Sequence, residues 1–407
     1  MILAPAETFA VASSRTVLIA GGGIGGLTAA LAIAQRGFRV SVYDQAERLE
    51  EIGAGIQLSP NASRILIALG LAEKLKPLVV APEELRVLNA QSARVLANAP
   101  LGQSIERRYG APYWVIHRGD LQAALVEAVQ AHPDITLALG KRIDDVAVHP
   151  NGVTAAAVGT TLTSEERGSA LIGADGLWSR LRRRLGDARA PHFAGHTAWR
   201  ALVPADDVVA DLRAPAVNLW LGRNAHLVHY PVRDRQLINV VAIVRDDWSG
   251  ASWNEPGLRS ELLERFPTGM WPPVTRSLLA APARWHKWAL HDRPPLRRWG
   301  KGPVTLLGDA AHPMLPYLAQ GAAMAIEDAA VLAARLAETP DDLAGAMRRY
   351  ERARRRRTAR AQRAARRNGT VYHMGGAEAF LRTLAMMAMG GQRLIRRYDW
   401  LYGWKPA

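Results

Sequence analysis

The sequence contains no cysteine, and this absence excludes disulfide bonds, thiolate metal ligands and a cysteine nucleophile. Long apolar runs are missing as well, whereas a membrane-spanning helix needs about 20 consecutive apolar residues. The apolar segment at 380–389 is short and contains Arg382. The histidines are scattered, and no H-x-x-x-H pair sits on a predicted helix with carboxylates, the pattern typical of zinc enzymes. We therefore expect neither a bound metal nor a membrane partner.

Acidic residues are scarce relative to basic ones. The chain has 37 aspartates and glutamates against 52 lysines and arginines, a net charge of +15. Much of the excess lies in segment 348–367, where Glu351 is the single acid. A basic segment can bind nucleic acid or an anionic membrane, but aromatic residues do not alternate with these arginines and no nucleic-acid-binding motif is present. We interpret the segment as a solvated arginine-rich helix and expect no nucleic-acid partner; attraction of anionic small ligands is a further interpretation.

Length and composition allow two domains. A chain of 407 residues with 49% hydrophobic residues can bury a large core. The first 15 residues are mildly apolar but lack the basic start and the cleavage pattern of a secretory signal. We interpret them as a surface arm and expect the protein in the cytoplasm.

A glycine-rich motif stands near the N-terminus, within VLIAGGGIGGLTAALAIAQRGFRVSVYDQ at 17–45. An apolar run precedes it, as in a buried parallel strand, and an alanine-rich helix follows. The G-x-G-x-x-G glycines allow a tight turn, the approach of a pyrophosphate and close helix packing, and an acid that ends the second strand can accept ribose hydroxyls. These features predict a dinucleotide site at Gly21, Gly23, Ile24, Gly25, Gly26 and Asp44.

A second glycine–acid motif, VTLLGDAAHPMLPYLAQGAAMAIEDA, stands at 304–329, and together the two motifs indicate FAD. Between them, from about residue 190 to 285, the composition changes to strands rich in Trp, Val and His. We therefore predict an α/β fold in which an antiparallel sheet interrupts a Rossmann-like domain. The predicted boundaries are 1–75, 100–185 and 286–370 for the FAD-binding domain, 76–99 and 186–285 for the substrate-binding sheet, and 371–407 for a C-terminal helical tail.

Three motifs in a fixed order carry a resemblance to a known family: GGGIGG at 21–26, GADGLWSRLR at 173–182 and GDAAHPMLPYLAQGAAMAIEDA at 308–329. Over about residues 15–375 the chain resembles the FAD-dependent aromatic hydroxylases, flavoprotein monooxygenases with the para-hydroxybenzoate hydroxylase-like fold. The last motif is most similar to the salicylate, 6-hydroxynicotinate and 3-hydroxybenzoate hydroxylase branch.

The resemblance implies a monooxygenase that binds FAD non-covalently and takes electrons from NADH or NADPH, a transient reductant. With dioxygen it would hydroxylate a small aromatic acid through a flavin hydroperoxide. A homodimer is a further expectation of the resemblance. NADH versus NADPH, the position hydroxylated and a coupled decarboxylation stay open at this point.

The same resemblance implies which residues contact FAD. Asp309 would bind the ribityl chain, and the helix beginning near Gly321 would direct its N–H groups at the pyrimidine end of the flavin, where they stabilise negative charge. Asp175 could also cap the helix that follows it. The full set implied is Arg118, Asp175, Asp309, Pro316, Gln320, Gly321 and Ala322.

A phenol reacts faster once ionised, so we expect a base beside the substrate hydroxyl, in a dry pocket. In NAHLVHYPV, His226 and Tyr230 lie four residues apart and face the same side of a strand, while His229 faces the other side. The resemblance implies that such a pair lines the substrate site; the alternative for His226 is a satisfied polar residue inside the sheet. His312 is a further catalytic candidate, or an anchor of its own loop.

Other side chains are candidates for contact with the substrate. Arg200 suits a carboxylate, with a surface salt bridge as the alternative, and Gln57 lies near the flavin by the resemblance. The complete substrate set is Gln57, Arg200, Trp220, His226, Tyr230 and Pro313. Two rival functions stay open: epoxidation or hydroxylation of a larger secondary metabolite by a flavoenzyme of the same fold, and a nucleic-acid or membrane role for the arginine segment.

Overall fold

The structure is a computed structural model, and it describes residues 15–49, 54–159, 162–248 and 255–406. Apart from Arg15, the predicted N-terminal arm lies outside the described residues. The β-strands are β1 (Thr16–Ala20), β2 (Arg39–Tyr43), β3 (Gly55–Leu58), β4 (Val79–Val80), β5 (Glu84–Asn89), β6 (Val95–Pro100), β7 (Trp114–His117), β8 (Ile135–Ala138), β9 (Arg142–His149), β10 (Gly152–Val158), β11 (Thr163–Gly168), β12 (Ala170–Gly173), β13 (His192–Pro204), β14 (Ala216–Gly222), β15 (Ala225–Val232), β16 (Leu237–Arg245), β17 (Glu255–Gly257), β18 (Trp285–Asp292) and β19 (Val304–Leu306). The α-helices are α1 (Ile24–Ala34), α2 (Pro60–Ala68), α3 (Ala72–Leu75), α4 (Gly102–Tyr109), α5 (Arg118–Ala131), α6 (Arg180–Arg184), α7 (Arg259–Glu264), α8 (Pro273–Ala280), α9 (Gly321–Glu338), α10 (Leu343–Tyr372), α11 (Gly376–Arg396) and α12 (Asp399–Tyr402).

A parallel sheet of five strands, in the order β19-β12-β1-β2-β8, forms the first layer. The apolar strand β1 is its centre and is buried in the largest core cluster together with α1 and α9, as expected for a parallel sheet covered by helices. The strands come from three separate parts of the chain, so the Rossmann-like domain is discontinuous. The predicted fold class is confirmed.

A mixed sheet of eight strands forms the second layer, in the order β17-β18-β13-β16-β15-β14-β5-β6. Its described neighbours pair antiparallel except for β14 and β5, which are parallel. Strand β18 belongs to this sheet and ends at Asp292, beyond the predicted boundary at residue 285. Composition alone missed this strand because its pairing partner β13 is distant in sequence.

The two faces of β15 have different environments. His226, Val228 and Tyr230 line a cavity between the two layers, as the alternation along a strand predicts. Leu227 points to the opposite face, into a second core cluster. His229 also lies on that opposite face and is fully buried, and neither of its ring nitrogens has a hydrogen-bond partner among the described residues. Burial, together with the positive charge of Arg86, lowers the pKa of His229 to about 3.

Replacing His229 with leucine is therefore expected to stabilise the protein by about 1–3 kcal/mol, the usual cost of a buried polar group without a partner. The side chain faces away from the cavity, so the cavity should not change. Thermal or urea unfolding measures the effect, and His149→Leu on the exposed end of β9 is the matched control. A variant less stable than the starting protein would contradict the expectation.

The arginine-rich helix α10 differs from its predicted role as a solvated helix. Arg352 and Arg356 are exposed, but Arg354 is 1% exposed. Its guanidinium lies 2.7 Å from the carboxylates of both Glu327 and Asp328 on α9. The residue pattern could not reveal this, because an arginine is rarely fully buried unless another element supplies the opposite charge, and that element is distant in sequence.

Two further results concern membranes and metals. Among the described residues, no helix combines the length and the apolar content that crossing a bilayer requires. In the same part of the chain, no three acidic or histidine side chains are grouped as metal ligands would be.

Candidate active site

A cavity of ≈ 350 Å³ lies between the parallel sheet and the face of the mixed sheet. One end is formed by the glycine loop before α1, the loop after β19 and the N-terminus of α9, and the other by β13, β15 and β16. This is the crevice outside the carboxyl ends of parallel strands, where α/β proteins bind ligands. Of the predicted site residues, those that line it are Gly23, Ile24, Gly25, Gln57, Arg118, Arg200, His226, Tyr230, Asp309, Pro316, Gln320, Gly321 and Ala322.

The glycine loop has the geometry that its motif requires. Gly21 has φ +111°, and a side chain there would collide with the Ala174 carbonyl at 2.3 Å. A Cβ on Gly26 would lie 1.9 Å from the Gly21 carbonyl oxygen, so glycine is needed for α1 to pack. In contrast, a Cβ on Gly23 would meet nothing within 4 Å. The loop is therefore packed tightly behind and open at Gly23, as the approach of a pyrophosphate requires.

The two acids predicted to flank the cofactor lie beside the cavity and do not line it. Asp44 accepts hydrogen bonds from the backbone N–H of Gly22 at 2.6 Å and of Ala46 at 2.8 Å, which fixes it behind the glycine loop. Asp175 accepts from the N–H of Arg180 at 2.8 Å through Oδ2, so it does cap α6. Its Oδ1 is buried without a hydrogen-bond partner in the described part of the chain, and burial raises its pKa.

The loop after β19 presents an accessible carboxylate to the cavity. Asp309 has no hydrogen bond to another described residue. Its carboxylate is accessible from the cavity, and protein surrounds the cavity at this point. This enclosure raises the pKa of the carboxyl, and the charges of His312 and Arg118 lower it. An acceptor that is accessible and only partly solvated suits ligand hydroxyl groups.

Helix α9 begins at the cavity with Gly321 and Ala322, and the first N–H groups of a helix have no partner within it. The preceding Ala319 has φ +51°, a left-handed conformation that favours glycine. The Gln320 side chain is 2% exposed and bonds Ser59 Oγ at 2.8 Å, so its amide anchors the turn. The turn therefore offers the positive end of a helix dipole to a ligand.

The far end of the cavity combines polar and apolar side chains. Gln57 accepts a hydrogen bond from Tyr113 Oη at 2.6 Å and also contacts Tyr230, whose pKa burial raises. Arg200 lies over the Trp288 ring, with its guanidinium carbon 5.1 Å from the ring centre. The apolar residues that line this end are Val228, Val241 and Ile243. A small planar acid would meet one cation, several hydrogen-bonding groups and apolar walls here.

Three residues that were predicted to be catalytic or to contact the substrate also do not line the cavity. Trp220 faces the second core cluster, where its ring is stacked on His229 at 6.4 Å. His312 is 1% exposed and its Nε2 lies 2.5 Å from Asp328 Oδ2, which supports the alternative role of an anchor for its own loop. The Pro313 carbonyl accepts a hydrogen bond from Gln362 at 2.7 Å, on the side of α10. The structure therefore gives these three residues no contact with the cavity, and their predicted substrate and catalytic roles stay without structural support.

Sequence reasoning also missed a partner of His226. The Nδ1 of His226 lies 2.7 Å from Nε2 of His373, the C-cap residue that directly follows α10. Burial, and then the neighbouring histidines, lower the pKa of His226 well below its usual value. Spacing in the sequence gave no signal, because the two histidines are far apart in the chain.

Asp309→Asn is expected to weaken FAD binding about 10- to 100-fold, because hydrogen bonds to a charged group contribute about 1.5–3 kcal/mol. Quenching of flavin fluorescence on titration into the apoprotein measures the dissociation constant. The control is Asp211→Asn, at an exposed position of the sheet domain. Equal affinity of the Asp309→Asn variant and the starting protein would remove Asp309 from the cofactor site.

Comparison with known proteins gives a consistent result. The FAD binding domain family matches residues 14–368. The 3-hydroxybenzoate 6-hydroxylase 1 of Aquipseudomonas alcaligenes is 39% identical over 393 residues, 96% of this chain and 98% of the relative. The 6-hydroxynicotinate 3-monooxygenase of Pseudomonas fluorescens is 38% identical over 333 residues, 81% of this chain and 84% of the relative.

Solved structures agree with the sequence relatives. A salicylate hydroxylase in complex with substrate superposes with a TM-score of 0.80 at 26% identity, covering 97% of this chain and 96% of that one. HpxO of Klebsiella pneumoniae, complexed with FAD and uric acid, superposes with a TM-score of 0.83 at 26% identity, covering 95% and 96%. The open glycine turn, the accessible Asp309 carboxylate and the start of α9 all fit FAD as the cofactor of this cavity.

Proposed function

The chain belongs to the FAD binding domain family and is an FAD-dependent aromatic hydroxylase. We propose that its substrate is a small phenolic carboxylic acid. The observation that carries the proposal is the far end of the cavity, where one arginine, one histidine and one tyrosine converge on a space lined by aliphatic side chains. The curated relatives reported above act on single-ring acids. They disfavour the alternative of a larger secondary metabolite.

The proposed roles of the chain at the cofactor end follow from its geometry. The open turn at Gly23 and the first N–H groups of α9 would hold negative groups of FAD, and Asp309 would accept from its ribityl hydroxyls. Arg118 lines the same end and adds positive charge. When bound, FAD takes electrons from NAD(P)H and activates dioxygen so that one oxygen atom reaches the aromatic ring.

At the substrate end, Arg200 would bind the carboxylate and His226 would accept the proton of the hydroxyl group. Losing that proton makes the ring more electron-rich and so more reactive towards an electrophilic oxygen. Tyr230 remains protonated because burial raises its pKa, so it can donate a hydrogen bond to the phenolate. The aliphatic residues Val228, Val241 and Ile243 would exclude water from the reacting atoms.

The test is the rate of NADH and of NADPH oxidation by FAD-loaded protein with a panel of acids, each product being identified by mass. The panel contains 3-hydroxybenzoate, salicylate, 6-hydroxynicotinate and 3-amino-4-hydroxybenzoate, with benzoate as the control that lacks a hydroxyl. We expect one phenolic acid to accelerate oxidation and to gain one oxygen atom, with or without loss of carbon dioxide. A protein that binds FAD but responds to none of these acids would contradict the proposed substrate class.

A homodimer in the cytoplasm is the proposed state of the enzyme. Support comes from α11, where Phe380, Leu381, Leu384 and Met387 are 49–64% exposed on one helix. A cytoplasmic location would give access to NAD(P)H. Light scattering on the purified protein measures the mass against the 44.3 kDa of one chain, and cell fractionation tests the location. A monomeric mass at micromolar concentration would contradict the dimer.

A further inference from the structure

Three histidine rings form a continuous hydrogen-bonded row through the protein. His226 on β15 is joined to His373 at the end of α10 by the 2.7 Å contact described above. From His373, Nδ1 lies 3.0 Å from Nε2 of His196 on β13. The Nδ1 of His196 lies 2.8 Å from the carbonyl oxygen of Ala194. Every ring nitrogen of the three histidines therefore has a partner within the row or at Ala194, apart from Nε2 of His226.

The carbonyl at the outer end sets the tautomer of each neutral ring. A carbonyl oxygen only accepts, so His196 Nδ1 carries a hydrogen and its Nε2 is an acceptor. That acceptor faces His373 Nδ1, which must then donate, and His373 Nε2 must accept from His226 Nδ1. Nε2 of His226 is consequently left without a hydrogen. The residue that lines the cavity is thus held in the form that can take a proton.

The two ends of the row lie in different spaces. His226 is 2% exposed and lines the substrate end of the cavity beside Arg200 and Tyr230. His373 and His196 line a second pocket of ≈ 750 Å³, whose wall also includes Ala194. Several residues of this second pocket are exposed, namely Arg223, Asn224, Arg245 and Glu378, so it reaches the surface. The row therefore connects the buried wall of the substrate end with a pocket that is open to solvent.

We propose that His226, His373 and His196 form a proton path between the substrate hydroxyl and the surface pocket, an inference that rests on the proposed function. The substrate O–H bond breaks and its proton joins His226 Nε2. The Nδ1 proton of His226 passes to His373 Nε2, and the Nδ1 proton of His373 passes to His196 Nε2. His196 then releases its Nδ1 proton to water beside Ala194. Return of a proton to the product oxygen by the reverse route restores every starting tautomer.

The surroundings of the row disfavour a positive charge on each of the three histidine rings. Burial lowers the pKa of His373 to about 3, with His196 and Arg382 adding to the effect. Burial also lowers the pKa of His196, which Arg245 faces. The rings of Tyr317 and Tyr372 pack against the row, and burial raises their pKa values, so they stay neutral. Each ring therefore donates one proton as it accepts another, so that no ring retains a positive charge.

The first experiment replaces His373 with glutamine, which can bond both neighbours but cannot pass a proton on. The probe is a hydroxynitrobenzoate whose phenolate absorbs visible light, mixed with oxidised FAD-loaded enzyme in a stopped-flow instrument. We expect ionisation of the bound probe to be about 100-fold slower than in the starting protein, the scale of one lost acid–base group. Probe affinity should stay within about threefold. His149→Gln, on the exposed end of β9, is the matched histidine control.

The second experiment uses His373→Ala, because its missing ring opens onto the surface pocket, where imidazole can enter. We expect added imidazole to restore the ionisation rate of the probe and kcat in a saturable way, with rates that depend on the pKa of substituted imidazoles. A purely structural histidine would respond to neither. An unchanged ionisation rate in His373→Gln, or an imidazole-insensitive defect in His373→Ala, would overturn the path.

These results also separate the path from the proposed function. If the starting protein hydroxylates a phenolic acid while His373→Gln ionises the probe at the same rate, the function holds and the path fails. If the starting protein binds FAD but neither binds nor ionises any phenolic acid, the proposed substrate class fails and the path fails with it.

Discussion

His226→Phe is expected to lower kcat by about 10²- to 10⁴-fold, with a much smaller change in KM, because a general base acts in the reacting state and contributes little to ground-state binding. The ring keeps its packing against Tyr317 and Tyr372, so folding should be retained. The effect is measured as steady-state NADH oxidation and product formation, with the acid that accelerates NADH oxidation as the substrate.

The pH dependence of the rate distinguishes the loss of a base from the loss of a structural contact. The substrate phenol ionises in water near pH 10, the ordinary pKa of a phenol. The rate deficit of His226→Phe should therefore shrink as the pH is raised towards that value. His229→Leu, three residues along the same strand, changes a histidine on the opposite face and is the matched control. A deficit that is the same at every pH would indicate that His226 supports the structure of the site and does not act as a base.

Arg354→Ala is expected to lower the free energy of unfolding by about 3–5 kcal/mol, because removing one partner leaves uncompensated buried charge. Glu327 and Asp328 are fully buried, and Arg354 bridges them. Asp328 also accepts a hydrogen bond from the Gly308 N–H at 3.1 Å, so the loop that carries Asp309 should loosen as well. Urea unfolding measures stability, and the flavin titration described above measures FAD affinity.

The same helix supplies the control for this prediction. Arg356 is exposed, and Arg356→Ala should change the unfolding free energy by no more than about 0.5 kcal/mol. Arg354→Lys retains the charge but loses the fork that reaches both carboxylates, so an intermediate loss is expected. If Arg354→Ala unfolds at the same urea concentration as Arg356→Ala, the contacts of Arg354 with Glu327 and Asp328 do not stabilise the protein.

Much of the cofactor site could be predicted from the sequence because its chemistry is local. The glycines at 21, 23 and 26 act within a single turn, and Asp309 and the start of α9 follow one strand directly. Backbone sterics and helix ends require the same residues in any protein that binds a dinucleotide in this way. The pairing of His226 with Tyr230 on one face follows equally from the two-residue repeat of a strand.

The residues around the substrate end depended on tertiary structure. Strand alternation states which residues share a face, but it does not state which face meets the cavity. The side on which Trp220 lies depends on the register between β14 and β15, and that register directs it into the second core. His312 and Pro313 follow the flavin motif in sequence, yet the chain turns them towards α9 and α10.

By itself, the sequence determined the α/β class, the FAD site and the presence of a histidine–tyrosine pair on one strand face. Only the tertiary structure decided that Arg354 is buried and that His196, His226 and His373 form one row. Those contacts join segments more than 20 residues apart, and in the row more than 100. A local pattern records the preferences of its own backbone, whereas a buried charge or a shared proton depends on which distant element packs against it.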